Sequence, residues 1–244
     1  ASHPSNDKRL QEVINNVSSS YPQGSKKRKD NYLSKIDGMV FGDSEKSGIR
    51  RGNEFYHGPL DLYLSSSNLW EIINTPNTLI FSSPFGEAVL QMTLEDLNFR
   101  EEPEEYLKRF TQNILEEEDL SINGFKGYSV KAIQSGKTTR MAVIFKQNQV
   151  YQFIGYLKDE RSDFAKFDVE FKDIIKSFRK LNINEIAYSK PLRISSYKVK
   201  KGDTYSSLAL KSSINMNAED QLRLINGDYP NKPLSSGRII KIVE

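Results

Sequence analysis

The sequence predicts an α+β fold: an antiparallel sheet with helices packed on it, then a small β-α-α-β domain. Three observations predict it. From about residue 55 to 187 the order is strands, helix, strands, helix, and segregation of this kind favours an antiparallel sheet. Turn residues punctuate the strands, Asn123-Gly124 foremost. From Tyr197 onward a strand, two short helices and a closing strand fit in under ~50 residues, near the lower limit for a small stable core. A chain of 244 residues with 37% apolar and 11% aromatic residues has the material for such cores.

Residues 1–20 contain "SHPSNDKRLQEVINNVSSS", with Pro4 in a first turn, Ser2 ahead of it, and Leu10, Val13, Ile14 and Val17 as one apolar helical stripe. A lone helix cannot bury such a stripe. It is either an ordinary N-terminal helix packed on the rest of the chain or the end of a larger upstream domain. Residues 21–54 read as a linker and irregular segment. Pro22, Gly24 and Ser25 break the helix, Lys26 to Lys29 form a solvated basic run, and Gly38, Gly42, Gly48 and Gly52 punctuate short apolar pieces.

Residues 55–187 form the sheet-and-helix domain. "LDLYLSS", "TLIFSSP" and "GEAVLQMTLEDL" are strands, the last with Ala88, Leu90 and Met92 on one face. "EEPEEYLKRFTQNILEEED" changes period: Tyr106, Leu107, Phe110 and Ile114 share a helical face, and acidic residues fill the first turn. This predicts a helix over 101–119. "INGFKGYSVKAIQ", "TRMAVIFKQ" and "QVYQFIGYL" return to strands, with Asn123-Gly124 and "KQNQ" as turns. "DFAKFDVEFKDIIKSFRKL" is helical, with Phe164, Phe167, Phe171, Ile174, Ile175 and Phe178 along one face. Trp70, the only tryptophan, reads as a core or strand-end anchor.

The chemistry-bearing constellations are missing from this block. There is no cysteine, which excludes disulfides, thiolate metal sites and a cysteine nucleophile. The sequence has no HExxH, no Gly-x-Ser-x-Gly, no phosphate-binding or dinucleotide glycine motif, and only two histidines, His3 and His57. The carboxylates of the 101–119 segment sit where a solvated helix puts them, and nothing places one in an apolar pocket as a general acid. The net charge of +3 is no argument for nucleic acid as a partner, and no apolar run approaches the ~20 residues of a transmembrane segment. No cofactor is expected in this chain. A non-catalytic scaffold or interaction domain is the reading.

Residues 188–244 form the last domain. Pro191 and Ser195-Ser196 mark a connection, "YKVKKG" is a strand with Tyr197 and Val199 on one face, and Asp203 or Thr204 caps the helix that carries Leu208 and Leu210. "NAEDQLRLING" is a second helix, capped by Asn217 and ended by Gly227. "SGRIIKIV" closes the unit as a strand. "YKVKKGDTYSSLALK", "LRLING" and "PLSSGRIIKIV" resemble a LysM module, with Gly237 at the family's glycine and Ser236 where proline is frequent. The resemblance implies binding of N-acetylglucosamine polymers such as peptidoglycan. Its groove falls between two loops, Gly202, Asp203, Thr204 and Tyr205, then Asn226, Gly227, Asp228 and Tyr229. Backbone groups there would meet acetamido groups, and Tyr205 or Tyr229 would stack on a sugar face. "SSINMNAED" departs from the family between the helices. Glycan binding and a structural tail both fit this pattern.

"SHPSNDKRLQEV" is similar to the His-Pro-x-x-x-x-Arg helix that ends the catalytic domain of HtpX-like zinc metallopeptidases, with His3 and Arg9 at the family's spacing. "IDGMVFGDSEKSGIRRGNEFYH", "FSSP", "SINGF" and "SFRKL" resemble the C-terminal extension of periplasmic members. The resemblance implies a bacterial protein of the periplasm or secreted space, an upstream peptidase domain as partner, and zinc held by that parent, not by this chain. His3 and Arg9 would be accessory residues of the parent active site. The middle block is similar in layout to PsbP-like domains. Two functions are implied: the non-catalytic C-terminal region of a zinc metalloendopeptidase, placing it at the cell envelope, or a free-standing peptidoglycan-binding or envelope interaction protein without protease activity.

Overall fold

The computed structural model describes residues 32–67, 69–97 and 100–244. The amino-terminal stripe, the basic run Lys26 to Lys29, His3 and Arg9 lie outside the described residues. The chain divides into two compact units. One holds residues 40–192 with 213–217; the other gathers 193–212 and 218–244 with the described residues 32–39.

The larger unit carries strands β1 (Val40–Phe41), β2 (Ile49–Arg51), β3 (Glu54–His57), β4 (Leu62–Ser65), β5 (Glu71–Asn74), β6 (Leu79–Ser82), β7 (Ala88–Asp96), β8 (Ile114–Ile122), β9 (Phe125–Gln134), β10 (Lys137–Lys146) and β11 (Gln149–Leu157). A helical turn α1 at residues 32–36 precedes it; α2 (Pro103–Lys108) and α3 (Phe164–Lys176) belong to it. Seven strands form an antiparallel sheet in the order β5-β6-β7-β11-β10-β9-β8, and β2-β3-β4 form a second, three-stranded sheet. This is the predicted α+β architecture with helices packed on an antiparallel sheet.

Hairpin turns fix the register. Ile122 pairs with Phe125 across Asn123 (φ 50°) and Gly124 (φ 85°), and both central residues of such a two-residue turn need positive φ. Ser135 (φ 50°) and Gly136 (φ 79°) do the same between β9 and β10. The four glycines of the segment read as turn-rich, Gly38, Gly42, Gly48 and Gly52, all stand at positive φ. Between Gly48 and Gly52 the chain forms a strand, β2, which pairs with β3.

Alternation along β10 splits the core into two layers. Ala142 and Ile144 face α3, where Phe167, Phe171, Ile174, Ile175 and Phe178 pack with Phe81, Leu90, Tyr151 and Phe153. Met141 and Val143 face the opposite way, onto Tyr106 and Leu107 of α2. Trp70 is buried against Phe167 and Phe171 and donates its indole N–H to Glu170, as expected of a core anchor.

The predicted 101–119 helix is corrected. The helix ends at Lys108, Asn113 turns the chain at φ 52°, and Ile114–Ile122 is the edge strand β8. Phe110, assigned to the helical stripe, is exposed. The helical spacing of apolar residues lost to pairing: an Asn-Gly hairpin needs a strand on each side, and the acidic run meets cations from the neighbouring strand and from both helices. Glu116 pairs with Lys131, Glu117 with Lys108, and Glu118 with Lys172. Charge on an edge strand also deters pairing with foreign strands.

Phe171 reaches the sheet because residue 155 is glycine. A Cβ there would stand 2.7 Å from the Phe171 ring, which is fully buried. Gly155→Ala is expected to destabilise the unit by about 1–3 kcal/mol, the usual cost of overpacking a core. The check is the denaturant midpoint of Trp70 fluorescence; an unchanged midpoint contradicts this packing.

Candidate functional site

The two predicted loops belong to the smaller unit. Strands β12 (Leu192–Lys198) and β13 (Ile239–Val243) pair antiparallel, with Ile194 opposite Val243 and Tyr197 opposite Ile240. Helices α4 (Tyr205–Ala209) and α5 (Ala218–Asn226) lie between them in sequence. Ile194, Val199, Tyr205, Leu208, Leu222, Ile240 and Val243 are buried and supply the apolar core.

The first loop turns at Gly202 (φ 91°). The Asp203 carboxylate accepts the Lys200 N–H at 2.7 Å and the Tyr197 hydroxyl at 2.9 Å, and these two donors hold it below the usual carboxylate range. Thr204, not Asp203, is the cap. Its Oγ1 accepts the Ser207 N–H at 3.1 Å while Ser207 Oγ accepts the Thr204 N–H at 3.0 Å, satisfying two helix-end donors.

The second loop begins at Gly227 (φ 68°), as expected of a helix-ending glycine. The Gly227 N–H donates to Leu224 O at 3.1 Å and the Asp228 N–H to Arg223 O at 2.9 Å, the paired bonds of a Schellman end. Asn226 joins this helix end to β13. Its amide N–H groups reach Leu222 O and Lys241 O, each at 2.8 Å, and its carbonyl accepts the Lys241 N–H at 2.8 Å.

One buried hydrogen bond brings the loops together: the Tyr205 hydroxyl donates to Asp228 Oδ2 at 2.6 Å. Arg238 donates to the same oxygen at 2.5 Å and to Asn226 O at 3.2 Å. Arg223 lies 4.7 Å from the Tyr205 ring centroid and is held by Glu219, which also accepts the Ser206 hydroxyl. Burial works against the Asp228 charge, but Arg238 and Tyr205 outweigh it and hold the carboxyl below its ordinary value. Burial, then the bond to Asp228, pushes the Tyr205 phenol up.

The eight predicted groove residues are therefore adjacent but not equivalent. Gly202, Thr204, Gly227 and Tyr229 are exposed, Asp203 and Asn226 are half-buried, and Tyr205 and Asp228 are buried. Tyr205 is corrected as a sugar-stacking residue: it is 1% exposed, and its hydroxyl is engaged by Asp228. Tyr229, at 36% exposure, keeps a ring for that role. Two helix details also differ. Asn217 stands at φ 49° instead of the extended conformation of a cap, and Leu210 is 90% exposed instead of packing beside Leu208. Arg238 and Arg223 escaped sequence reasoning, because no periodicity links them to a tyrosine in another element. An open groove of the same unit is lined by Leu33, Ser34, Asp37, Ser196 and Ile239.

The larger unit has one histidine among the described residues, His57. His57 is buried; its Nδ1 accepts the Leu60 N–H at 3.2 Å, and burial pushes its pKa down. The imidazole is thus a neutral structural acceptor. Among the described residues no group of three or more His, Asp and Glu is placed to hold a metal ion, so they do not fit a zinc site. No helix of the described residues is long and apolar enough to cross a membrane.

No family model matches the chain, and no curated protein matches it. Solved structures resemble about half of it. PsbP of the cyanobacterium Synechocystis sp. PCC 6803 has 9% identity and a TM-score of 0.42, over 55% of this chain and 94% of that one. A protein of Bacteroides thetaiotaomicron has 13% identity and a TM-score of 0.39, over 56% of this chain and 51% of that one. LpqN of Mycobacterium tuberculosis, described as involved in cell envelope biogenesis, has 14% identity and a TM-score of 0.33, over 50% of this chain and 83% of that one.

Proposed function

We propose that this chain is the non-catalytic C-terminal region of a zinc-dependent metalloendopeptidase, and that it places the protease at the bacterial cell envelope by binding peptidoglycan through its C-terminal unit. The observation that carries the binding half is the Tyr205–Asp228 hydrogen bond. It pins the two loops that the LysM resemblance names, and it leaves Gly202, Gly227 and Tyr229 exposed beside it. Exposed turn residues held in place in this way suit an acetamido ligand, because little ordering remains to be done on binding. Zinc and the general base belong to the upstream peptidase domain in this reading, and a periplasmic or secreted location follows from it. The support for the parent enzyme is the sequence likeness around His3 and Arg9.

Two measurements test the two halves. The full chain should be retained on insoluble peptidoglycan, and Tyr229→Ala should weaken retention by roughly fivefold, the value of one lost aromatic contact. Failure of the unmutated chain to bind removes the glycan reading. The chain joined to its upstream sequence should bind zinc and cut an unstructured protein, while this chain alone should not. A joined protein that neither binds zinc nor cuts removes the protease reading.

A further inference from the structure

The turn that joins β3 to β4 is held by two buried basic side chains. His57 is 8% exposed, and Lys146 on β10 is 3% exposed. The imidazole Nδ1 accepts the Leu60 N–H at 3.2 Å, and the Lys146 ammonium donates to the carbonyls of Leu60 and Asp61. Together they hold Asp61 at φ 46°, in the left-handed region that a residue other than glycine adopts at a cost. The Phe55 ring lies edge-on to the imidazole at 6.1 Å, and a Cβ on residue 48 would stand 3.0 Å from the imidazole Cδ2. The ring is closed in on both sides.

This geometry admits one protonation state. A charged imidazole carries an N–H on both nitrogens, so Nδ1 would meet the Leu60 N–H donor to donor. The charged groups around the ring do not compensate. Lys146 opposes an imidazolium directly. Asp61 and Lys180 act on Lys146 with opposite signs, and the Asp61 carboxylate already accepts the Leu181 N–H at 3.0 Å. Glu45 approaches Gly58 but is paired with Lys190. Lys46 is an exposed residue whose backbone favours the charged ring, and burial outweighs it.

The same turn seats the segment that runs on to β12. Leu181 is bonded to Asp61. A Cβ on residue 58 would stand 2.9 Å from Ser189 Oγ, and Ser189 is 1% exposed, so the bare Gly58 backbone packs on it.

We propose that His57 is an acid-operated latch: a proton on Nδ1 displaces the Leu60 N–H, the 57–61 turn opens, and residues 181–190 lose their seat. The proton comes from solvent, and no other covalent bond changes. The folded state holds the imidazole pKa below its ordinary 6.5, so the latch is closed above that pH and opens as the pH falls below it. Histidine is the side chain suited to a switch in this range. The latch lies within the larger unit, so it stands whether or not the chain binds glycan or follows a peptidase.

The test is hydrogen exchange of the full chain, resolved by peptide, at about pH 7.5 and about pH 5, with rates corrected for the pH dependence of the chemical step. Peptides spanning 57–64 and 181–190 are expected to lose protection together in acid, by up to about tenfold per pH unit, the linkage of one proton. Peptides of β9, β10 and β11 should keep theirs. His57→Gln supplies an acceptor that does not titrate, so both peptides should stay protected at the lower pH. The imidazole Cε1–H resonance gives a second reading that needs no change at His57. The chain has only two histidines, so His3→Gln leaves that of His57 alone, and it should titrate below 6.5. Four results overturn the proposal. They are protection undiminished in acid, a His57 titration at or above the ordinary value, acid opening that persists in His57→Gln, and opening of 57–64 while 181–190 stays protected. The third would assign the acid response to the carboxylates of Glu45 and Asp61, and the fourth would leave the turn without a hold on the segment.

Discussion

Arg140→Ala is expected to cost the larger unit about 3–5 kcal/mol. Arg140 is 1% exposed on β10, and Asp168 is 8% exposed on the buried side of α3. The guanidinium grips the carboxylate with two parallel bonds of 2.7 Å and donates a third to Ser129 Oγ at 3.3 Å. Glu116 lies 3.6 Å from the same fork. Alanine would leave the Asp168 carboxylate inside the protein without its cation, and desolvation of an unpaired charge is the dominant cost. Arg140→Lys keeps the charge but loses the planar fork, so it should fall between wild type and alanine. The double variant Arg140→Met with Asp168→Leu should recover most of the loss, since it removes both charges and keeps the volume. Trp70 stands within 6.3 Å of Phe167, the residue before Asp168 on α3, so its fluorescence in a denaturant series reads all four proteins. Equal midpoints for Arg140→Ala and wild type would show that the pair does not hold helix to sheet.

The same pair shows where sequence reading stops. "TRMAVIFKQ" announces a strand by its apolar run, and the structure puts Ala142 and Ile144 on one face and Met141 and Val143 on the other. The pattern gives no sign that Arg140 goes inward, because a charged residue at a strand start reads as solvent-facing. Its partner is 28 residues away on a helix, where an aspartate among Phe167, Phe171 and Ile174 looks like an interruption of the stripe. Local signals fared best where backbone chemistry is local. Asn123-Gly124 makes its hairpin, Gly227 ends its helix in the left-handed region, and Phe167, Phe171, Ile174 and Ile175 are the core face of α3, with Phe178 packing just beyond its end. They failed where pairing across strands decides, as at Ile114–Ile122, whose acidic residues are good helix formers but are matched by Lys108, Lys131 and Lys172 from elsewhere in the fold. The candidate groove divides in the same way. The turn residues Gly202, Thr204 and Gly227 take the roles their chemistry predicts. Tyr205 does not, because the exposure of an aromatic ring depends on Asp228 and Arg223, contributed by α5 and the loop after it.

Asp228→Ala is expected to take most or all of the stability of the smaller unit. The Asp228 side chain is fully buried between Tyr205 and Arg238, with Lys232 3.4 Å away. Its loss leaves the buried Tyr205 phenol without its acceptor and leaves Arg238 without its anion, with Asn226 O as its remaining partner, at a cost of about 3–5 kcal/mol. A unit of this size has a total stability of only roughly 3–8 kcal/mol, so the loss takes most or all of it. Asp228→Asn separates charge from hydrogen bonding: its carbonyl still accepts from Tyr205, but Arg238 faces no anion, and the loss should be about half as large. Acid should act as the asparagine does. The folded Asp228 carboxyl lies below its unfolded value, so the stability it supplies is fully present above about pH 4 and is lost as the pH falls further. Tyr205 has the opposite sign: its raised pKa supplies stability below about pH 10 that is lost as the pH rises beyond it. Hydrogen exchange resolved by peptide should therefore show protection of β12, α4, α5 and β13 falling away at both extremes in the wild type. In Asp228→Asn the acid limb below pH 4 should be reduced, because the group that titrates there is gone. An acid limb of unchanged size in that variant would mean that the two loops are held together by something other than this carboxylate.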